Sequence, residues 1–160
     1  KLFRLNPKVK WPVHFTSKVL APENITKGIL CDPGDNINNY IQANNGIIFG
    51  SNIELGPGVS IISSNHKANN LREHTKGKPI TIGNNVWIGA NSTVLPKVSI
   101  GDNVIIGANS LVNKDIPSNS VAVGNPCKII KQKEPYTEDL SAIIFNKQLP
   151  KKFTEFLNLK

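Results

Sequence analysis

The sequence predicts an all-β fold, a parallel β-helix built from a six-residue repeat, with a projecting loop and a short helical C-terminal tail. Three observations carry this prediction. Residues 82–117 divide into six consecutive hexads that each open on Ile or Val. Ile and Val together number 31 against 12 Leu, which favours strands over helices. Asn occurs 21 times, and Asn tolerates the positive φ of a tight corner better than other non-glycine residues.

Each position of these hexads has its own chemistry. The first positions are Ile82, Ile88, Val94, Ile100, Ile106 and Val112, and the fifth positions are Val86, Ser92, Val98, Val104, Ser110 and Ile116. Gly occupies four of the six second positions, and Asn occupies four of the six fourth positions. We therefore expect the first and fifth side chains to form a buried column, while Asn and Gly turn the corners.

An earlier run follows the same pattern. Its first positions are Ile37, Ala43, Phe49, Leu55 and Ile61, with a weaker start at Ile25. The two runs are out of phase, because the 21 residues from Ile61 to Ile82 are not a multiple of six. We therefore expect the polar segment 67–79 to leave the regular path as a projecting loop.

The segments outside the repeat complete one domain of 160 residues. Residues 1–24 are predicted to be an irregular or partly stranded lead-in, 25–127 the β-helix domain, and 128–160 a basic, helical tail. Within that tail, residues 137–139 resemble a helix start, and Leu140, Ile143 and Ile144 would share one face.

Composition argues against several classes of protein. No run of 18 apolar residues predicts a membrane span, and residues 1–6 lack the apolar region of a signal peptide. With no Met in the chain, we expect the natural start to be missing or processed. Two cysteines are too few for a disulfide framework, which favours a reducing, cytoplasmic compartment. The net charge of +8 does not indicate nucleic acid, because the lysines are scattered without interleaved aromatic residues; coenzyme phosphates or an anionic glycan explain it as well.

His66 is the candidate for catalysis among the three histidines, His14, His66 and His74. It stands where the first run ends and the loop begins, on the outer wall of the solenoid. An imidazole there is well placed to act as a general base. From spacing alone, a solvated corner residue is an equally good interpretation.

Longer phrases in the chain carry a family resemblance. They are IISSNH at 61–66, PITIGNNVWIG at 79–89, KDIP at 114–117 and GNPCKII at 124–130. Over residues 37–131 the pattern resembles the galactoside, maltose and polysaccharide O-acetyltransferases among the hexapeptide-repeat acyltransferases. The resemblance implies a left-handed β-helix, against the usual right-handed crossover preference. It also implies a homotrimer with sites between neighbours, acetyl-CoA as the donor, and His66 as the base that deprotonates the acceptor hydroxyl.

The same resemblance implies a set of coenzyme-binding residues. Lys114, Lys128 and Lys131 match the stretch that binds coenzyme phosphates, although Lys128 and Lys131 stand where Arg is common and therefore lose its bidentate geometry. Ala90, Ala108 and Asn113 match positions along the pantetheine path, and Trp87 would wall the cleft near the thioester. Solenoid packing or a solvated corner is the alternative interpretation for each of these residues.

Acceptor contacts are less strongly indicated. Asn36 matches an acceptor-binding Asn of the sugar transferases, although it lies in an Asn-rich corner where turn formation explains it equally. His74 would contact the acceptor or support the oxyanion, or it is an exposed loop residue. Residues 1–24 lack the helical cap of the maltose and galactoside enzymes, and residues 40–47 are closer to capsule and exopolysaccharide acetyltransferases. A zinc site, known among hexapeptide-repeat carbonic anhydrases, would need three converging imidazoles, and no metal is expected.

The functional prediction is therefore acetyl transfer from acetyl-CoA to a hydroxyl of a saccharide, of the capsule or exopolysaccharide kind. The enzymatic alternative is an N-acetyltransferase that acts on an amino sugar, or a xenobiotic acetyltransferase. The non-enzymatic alternative is a solenoid that acts as a scaffold or binding module.

Overall fold

Short strands alternate with tight corners in the computed structural model, which describes residues 6–138. The strands are β1 (Lys18–Leu20), β2 (Ile25–Thr26), β3 (Tyr40–Gln42), β4 (Ile47–Phe49), β5 (Ile53–Leu55), β6 (Ser60–Ile62), β7 (His66–Lys67), β8 (Asn70–His74), β9 (Ile80–Ile82), β10 (Val86–Ile88), β11 (Thr93–Val94), β12 (Ser99–Ile100), β13 (Ile105–Ile106), β14 (Leu111–Val112), β15 (Ser120–Val123) and β16 (Lys128–Gln132). A single 3-10 turn in this part of the chain, Pro22–Asn24, separates β1 from β2.

The chain winds through three parallel sheets in turn. Sheet 1 contains β1, β3, β6, β11 and β14, sheet 2 contains β2, β4, β9 and β12, and sheet 3 contains β5, β10, β13 and β15. Each strand pairs in parallel with the equivalent strand of the next coil, as Ile61 does with Ile41 and Val94. Two strands depart from this arrangement: β16 pairs antiparallel with β15, and β7 pairs with β8 in an antiparallel hairpin. The predicted parallel β-helix is confirmed.

The buried core is the predicted column. The first positions Ile82, Ile88, Val94, Ile100, Ile106 and Val112 and the fifth positions Val86, Ser92, Val98, Val104, Ser110 and Ile116 are all buried. They stack coil upon coil because parallel pairing keeps equivalent positions in register. The short coils thus bury a continuous apolar interior that no single coil could enclose.

The corners also follow the repeat. Asn85, Asn91, Asn103 and Asn109 at the fourth positions have φ between 56° and 57°, and Lys97 at the same position has φ 69°. The left-handed region is costly for most side chains and least so for Asn and Gly. The fourth-position Asn is therefore explained by backbone geometry.

Three edges join the sheets, and each is named here by its most prominent feature. The hairpin edge, between sheets 1 and 2, comprises residues 21–24, 43–46, 63–79, 95–98 and 113–115. The asparagine edge, between sheets 2 and 3, comprises residues 27–29, 50–52, 83–85, 101–104 and 117–119. The alanine edge, between sheets 3 and 1, comprises residues 32–39, 56–59, 89–92, 107–110 and 124–127.

The predicted frame is wrong at its start. Ile37, expected to point inward, is 44% exposed, and Asn38 next to it turns the corner at φ 56°. Ile41, expected at a fifth position, pairs with Ile61 and so occupies a first position. Eight residues then separate Ile41 from Phe49, so this part of the coil is two residues longer than a hexad.

Both ends of the predicted solenoid domain shift as well. Residues 18–20 are not part of an irregular lead-in, because β1 pairs in parallel with β3 and the solenoid begins before residue 25. Residues 128–132 are a strand and not the start of a helical tail, because β16 pairs along β15. The predicted helix with Leu140, Ile143 and Ile144 falls outside the described residues.

Residues 133–138, here called the strap, cross the asparagine edge back toward the second coil. The Lys133 amide donates to the Asn119 carbonyl at 2.7 Å. Further along, the Asn103 side-chain amide donates to the Glu134 carbonyl at 2.8 Å, and that of Asn52 donates to the Tyr136 hydroxyl at 3.2 Å. The strap therefore ties several coils together from outside.

Candidate active site

The candidate base lies where a hairpin leaves the solenoid. His66 follows the end of sheet 1 in the third coil and begins β7. The predicted loop 67–79 is in large part this hairpin, because β8 folds back on β7 through a turn at residues 68 and 69. Every residue of β7 and β8 is exposed, so the imidazole of His66 is open to a substrate.

The hairpin brings the two predicted loop histidines together. His66 and His74 are direct partners in the antiparallel register. Their ring centroids are 4.5 Å apart and the ring planes are inclined by 34°. Such proximity gives the candidate base a second imidazole as its neighbour, which is a contact that a separation of eight residues does not by itself reveal.

Buried polar groups support this pair from below. Gln42 is 5% exposed and Ser64 is 2% exposed. The Gln42 amide donates to the Ser64 hydroxyl at 3.0 Å, and the Ser64 backbone amide donates to Oε1 of Gln42 at 3.1 Å. The Ser64 hydroxyl in turn lies 3.5 Å from Nδ1 of His74. Buried and mutually satisfied groups hold a fixed geometry, so the base of the hairpin is a rigid platform.

A second set of bonds closes the hairpin at its root. The Asn45 side-chain amide donates to the carbonyls of Ser63 and Thr75, at 3.0 and 2.9 Å. The Thr75 backbone amide donates to the Asn65 carbonyl at 2.7 Å. Residues 65 and 75 are thereby fixed on either side of His66 and His74, which sets where the two rings stand.

This arrangement suits proton transfer by an imidazole. A neutral imidazole near pH 7 can accept the proton of a hydroxyl that it contacts, and it can return that proton to a leaving group. Within residues 6–138, no group of three or more His, Cys, Asp or Glu side chains is placed to hold a metal ion. What the hairpin presents is an exposed imidazole on a polar support.

Two of the predicted coenzyme residues share the edge that carries His66. Asn113 and Lys114 are exposed in the last coil of the hairpin edge. They lie two coils from the root of the hairpin, which is about 10 Å along the solenoid at the spacing of paired strands. A ligand with a long flexible arm could span that separation.

The other predicted coenzyme residues lie elsewhere. Ala90 and Ala108 stack in adjacent coils of the alanine edge, where the Asn109 amide donates to the Ala90 carbonyl at 2.8 Å. Trp87 is 54% exposed on the outer face of sheet 3. Lys131 is exposed on the outermost strand of that sheet, opposite Val121, and Lys128 begins the same strand opposite Val123.

One copy of the chain therefore does not bring the predicted residues together. Sheet 1 separates the alanine edge from the hairpin edge, and sheet 3, which adjoins the alanine edge, lies across the solenoid from the hairpin edge. A site that includes all of these residues requires a second prism beside the first, with its alanine edge or sheet 3 facing the hairpin edge.

Asn36 has its side chain occupied in the structure. Its Oδ1 accepts from the Ile37 backbone amide at 2.9 Å, and its Nδ2 donates to the Leu55 carbonyl at 3.2 Å. It lies on the alanine edge, with sheet 1 between it and His66. These contacts are the turn chemistry that we gave as the alternative, and acceptor binding by Asn36 stays a prediction.

Sequence reasoning missed the residues that support the histidines. Ser64 lies within the IISSNH phrase and Gln42 within residues 40–47, but the sequence assigns neither a role, because their meeting depends on stacking of successive coils. The hairpin has only a weak signal in the sequence, because the dipeptide at residues 68 and 69 is not typical of two-residue hairpin turns and the flanking residues are not β-branched. The register that sets His74 opposite His66 comes from the structure.

Comparison with known proteins places this geometry in a family. Residues 79–114 match the model of the bacterial transferase hexapeptide, described as six repeats. The galactoside acetyltransferase solved in complex with coenzyme A superposes with a TM-score of 0.63 and 34% identity, covering 78% of this chain and 68% of that one. The chain belongs to the hexapeptide-repeat acyltransferase family. Its solenoid is accordingly the left-handed parallel β-helix that the resemblance implied.

Further members of the family support the assignment over shorter stretches. The galactoside O-acetyltransferase of Escherichia coli is 43% identical over 89 residues, which are 54% of this chain and 44% of that protein. A maltose O-acetyltransferase of Clostridium difficile superposes with a TM-score of 0.57 and 39% identity, covering 76% of this chain and 61% of that one. The chain spans about half the length of the curated relatives it matches.

Proposed function

We propose that this protein transfers the acetyl group of acetyl-CoA to a hydroxyl of a saccharide, with His66 as the general base. The observation that carries the proposal is the exposed His66 imidazole, fixed beside His74 on the buried Gln42–Ser64 support. The names of the galactoside and maltose O-acetyltransferases favour a sugar hydroxyl, and the coenzyme A complex of the former favours a coenzyme A thioester as donor.

The reaction needs only one proton carrier. His66 takes the proton of the acceptor hydroxyl as its oxygen attacks the thioester carbonyl. When the carbon–sulfur bond breaks, the same proton passes to the departing thiolate, which leaves as coenzyme A with a free thiol. Most of the rate enhancement is expected to come from holding donor and acceptor in one cleft beside the imidazole.

The donor site is proposed to lie between neighbouring copies. Coenzyme phosphates would meet Lys114, Lys128 and Lys131, and the pantetheine arm would pass Ala90, Ala108 and Asn113 towards Trp87. Separation of these residues over two edges and one sheet of a single prism supports a homotrimer, in which cyclic symmetry sets the edges of different copies against one another. The acceptor is proposed to be a capsule or exopolysaccharide unit.

The compartment is proposed to be the cytoplasm. Cys31 and Cys127 are both buried and neither forms a disulfide, which suits a reducing environment. No helix within residues 6–138 is long and apolar enough to cross a membrane.

The test is release of the coenzyme A thiol from acetyl-CoA in the presence of a saccharide panel. We expect turnover that His66→Ala lowers by about a hundredfold or more, the size of a lost general base. His14→Ala is the matched control, because His14 lies in the lead-in and contacts Thr16 at 2.8 Å. An unchanged rate in His66→Ala would remove the base assignment.

Two outcomes separate the alternatives. Mild alkali releases acetate from an O-acetyl ester and leaves an N-acetyl amide intact, so a stable product would favour N-transfer, as to an amino sugar. Absence of turnover with every acceptor would favour the scaffold or binding module.

A further inference from the structure

Positive charge is concentrated on one of the three edges. Within residues 6–138, the hairpin edge carries six basic side chains against three carboxylates. The asparagine edge carries one of each, Lys27 and Asp102, and the alanine edge carries only Asp32 and Asp35. The basic side chains are Lys67, Arg72, Lys76, Lys78, Lys97 and Lys114. The edge that presents His66 is therefore also the basic edge of the solenoid.

Part of this charge is already neutralised within the edge. Lys67 forms an ion pair with Glu73 across the hairpin, and Lys78 lies 3.8 Å from Asp115. Among the described residues, Arg72, Lys76 and Lys97 form no ion pair. These three side chains are therefore available to attract an anionic ligand.

Lys97 of the next coil reaches the loop that carries Lys76. The stem of Lys97 lies against Gly77, where a Cβ would come within 2.6 Å of Lys97 Cε. The bare glycine thus lets this lysine pass next to the residue that follows Lys76. The charges of both lysines therefore add to the positive potential of this part of the edge, which attracts an anion.

A shallow groove with a mixed polar and apolar lining opens at this point. Lys76 lines it together with Asn24 and Asn44, and Ile48 and Pro79 form part of its apolar surface. Amides and an ammonium beside an apolar surface are the groups that bind sugar hydroxyls, a negative substituent and a sugar face. Asn45, which also lines the groove, donates to the Thr75 carbonyl and so joins it to the root of the hairpin that holds His66.

We propose that the acceptor is an anionic saccharide, bearing a carboxylate or phosphate, and that its charge is bound by Lys76, which lines the groove, with Lys97 beside Gly77 adding to the positive potential there. The proposal rests on the proposed function, since it names the acceptor of that reaction. Its main competitor is that the same lysines bind the phosphates of the coenzyme. The groove favours the acceptor, because its amide groups offer partners for hydroxyls, and because Lys76, its one lining lysine, is not among the predicted coenzyme lysines 114, 128 and 131.

The test measures binding without turnover, on protein saturated with coenzyme A. Methyl galactoside, methyl galacturonoside and galactose 6-phosphate serve as neutral, carboxylate and phosphate probes, titrated by NMR. We expect each charged probe to bind about tenfold or more tightly than the neutral one, since one unit charge near a surface ammonium contributes about fivefold and two lysines are present. A high salt concentration should remove most of this difference.

Variants decide which residues are responsible. Lys76→Gln with Lys97→Gln should bring the charged probes close to the neutral one while leaving the affinity for coenzyme A unchanged. Lys18→Gln is the matched control, because Lys18 is an exposed lysine of β1 outside the groove, and it should change neither affinity. A stability measurement on the double variant excludes unfolding as the cause of the change.

The outcomes also separate this proposal from the one on which it rests. Equal affinity for neutral and charged probes would overturn the anionic acceptor while acetyl transfer to saccharides could still stand. Loss of coenzyme A affinity in the double variant, with the charged probes unaffected, would assign the lysines to the coenzyme and overturn the proposal. Tight binding of charged probes without transfer to any saccharide would overturn the proposed function, and with it the role of the groove as an acceptor site.

Discussion

Asn103 offers the sharpest test of how the solenoid is held together. It is 3% exposed, turns its corner at φ 56°, and lies under the strap. Its Nδ2 donates to Asn119 Oδ1 at 2.7 Å and to the Glu134 carbonyl at 2.8 Å, and its Oδ1 accepts from Lys133 Nζ at 2.6 Å. Partial burial lowers the pKa of Lys133, and Asn103 Oδ1 is the acceptor that its ammonium contacts.

The cost of removing this side chain follows from these contacts. Asn103→Gly keeps the positive φ and removes all three hydrogen bonds, each of which contributes about 1 kcal/mol net. We therefore expect the free energy of unfolding to fall by about 3 kcal/mol. Asn103→Ala should lower the free energy of unfolding by about 1 to 2 kcal/mol more, because alanine must also adopt the left-handed conformation.

Asn109 is the matched control. It has φ 57°, it is exposed, and its side chain makes no hydrogen bond within residues 6–138. Asn109→Gly should cost less than about 1 kcal/mol. Thermal unfolding measures the difference, at about 2 to 4 °C for each kcal/mol in a domain of this size. If Asn103→Gly unfolds at the temperature of Asn109→Gly, the strap does not stabilise the solenoid as described.

Two further predictions concern the core and a buried thiol. Ile88→Ala should lower the free energy of unfolding by about 2 to 5 kcal/mol, because Ile88 is fully buried. Ile48→Ala, at a 45% exposed position, should lower it far less. Similar melting temperatures for the two variants would contradict the assignment of Ile88 to the buried core column. Burial raises the pKa of Cys31 to about 12 from 9.0, so iodoacetamide should modify it at pH 8 only when the protein unfolds, and rapid labelling of the native protein would contradict this. Between these two pKa values the unfolded chain has released the Cys31 proton that the native chain retains. The free energy of unfolding should therefore fall as pH rises, by about 1.4 kcal/mol per pH unit. Urea unfolding of Cys31→Ala should lack this part of the pH dependence.

The regular part of the fold could be predicted from the sequence because its rules are local. A β-branched residue at each first position and an Asn at four of the six fourth positions fix strand and corner within six residues. Val94 and Asn91 behave as expected because parallel stacking repeats the same environment in every coil. Handedness came from the family resemblance and not from the spacing.

The irregular parts depend on contacts between distant residues. Two additional residues between Ile41 and Phe49 shift the frame, and no local rule fixes where such an insertion falls. Strand β16 pairs with β15, and the strap bonds to residues of the asparagine edge. Their structure therefore depends on coils that are distant in sequence and not on a local pattern. Surface residues such as Lys76 and Lys97 can be assigned a shared role only from the structure, because stacking of coils places the stem of Lys97 against Gly77, next to Lys76.

The candidate site likewise combines a locally predictable residue with contacts that only the structure shows. The break in the repeat and the family motif predict His66 as the candidate base. Its neighbour His74 and the support from Gln42 and Ser64 required the hairpin register and the stacking of two coils. Residues that a second copy would contribute cannot be deduced from one chain's spacing.

The most direct test of the central claim is identification of the product. Mass spectrometry of a saccharide incubated with the protein and isotopically labelled acetyl-CoA should show one labelled acetyl group, released by mild alkali as expected of an ester. His66→Ala should lower its formation by about a hundredfold or more, while His14→Ala should not. Labelled ester formed at the same rate by His66→Ala would contradict the role of His66, and coenzyme A release without any labelled saccharide would contradict acetyl transfer to a sugar.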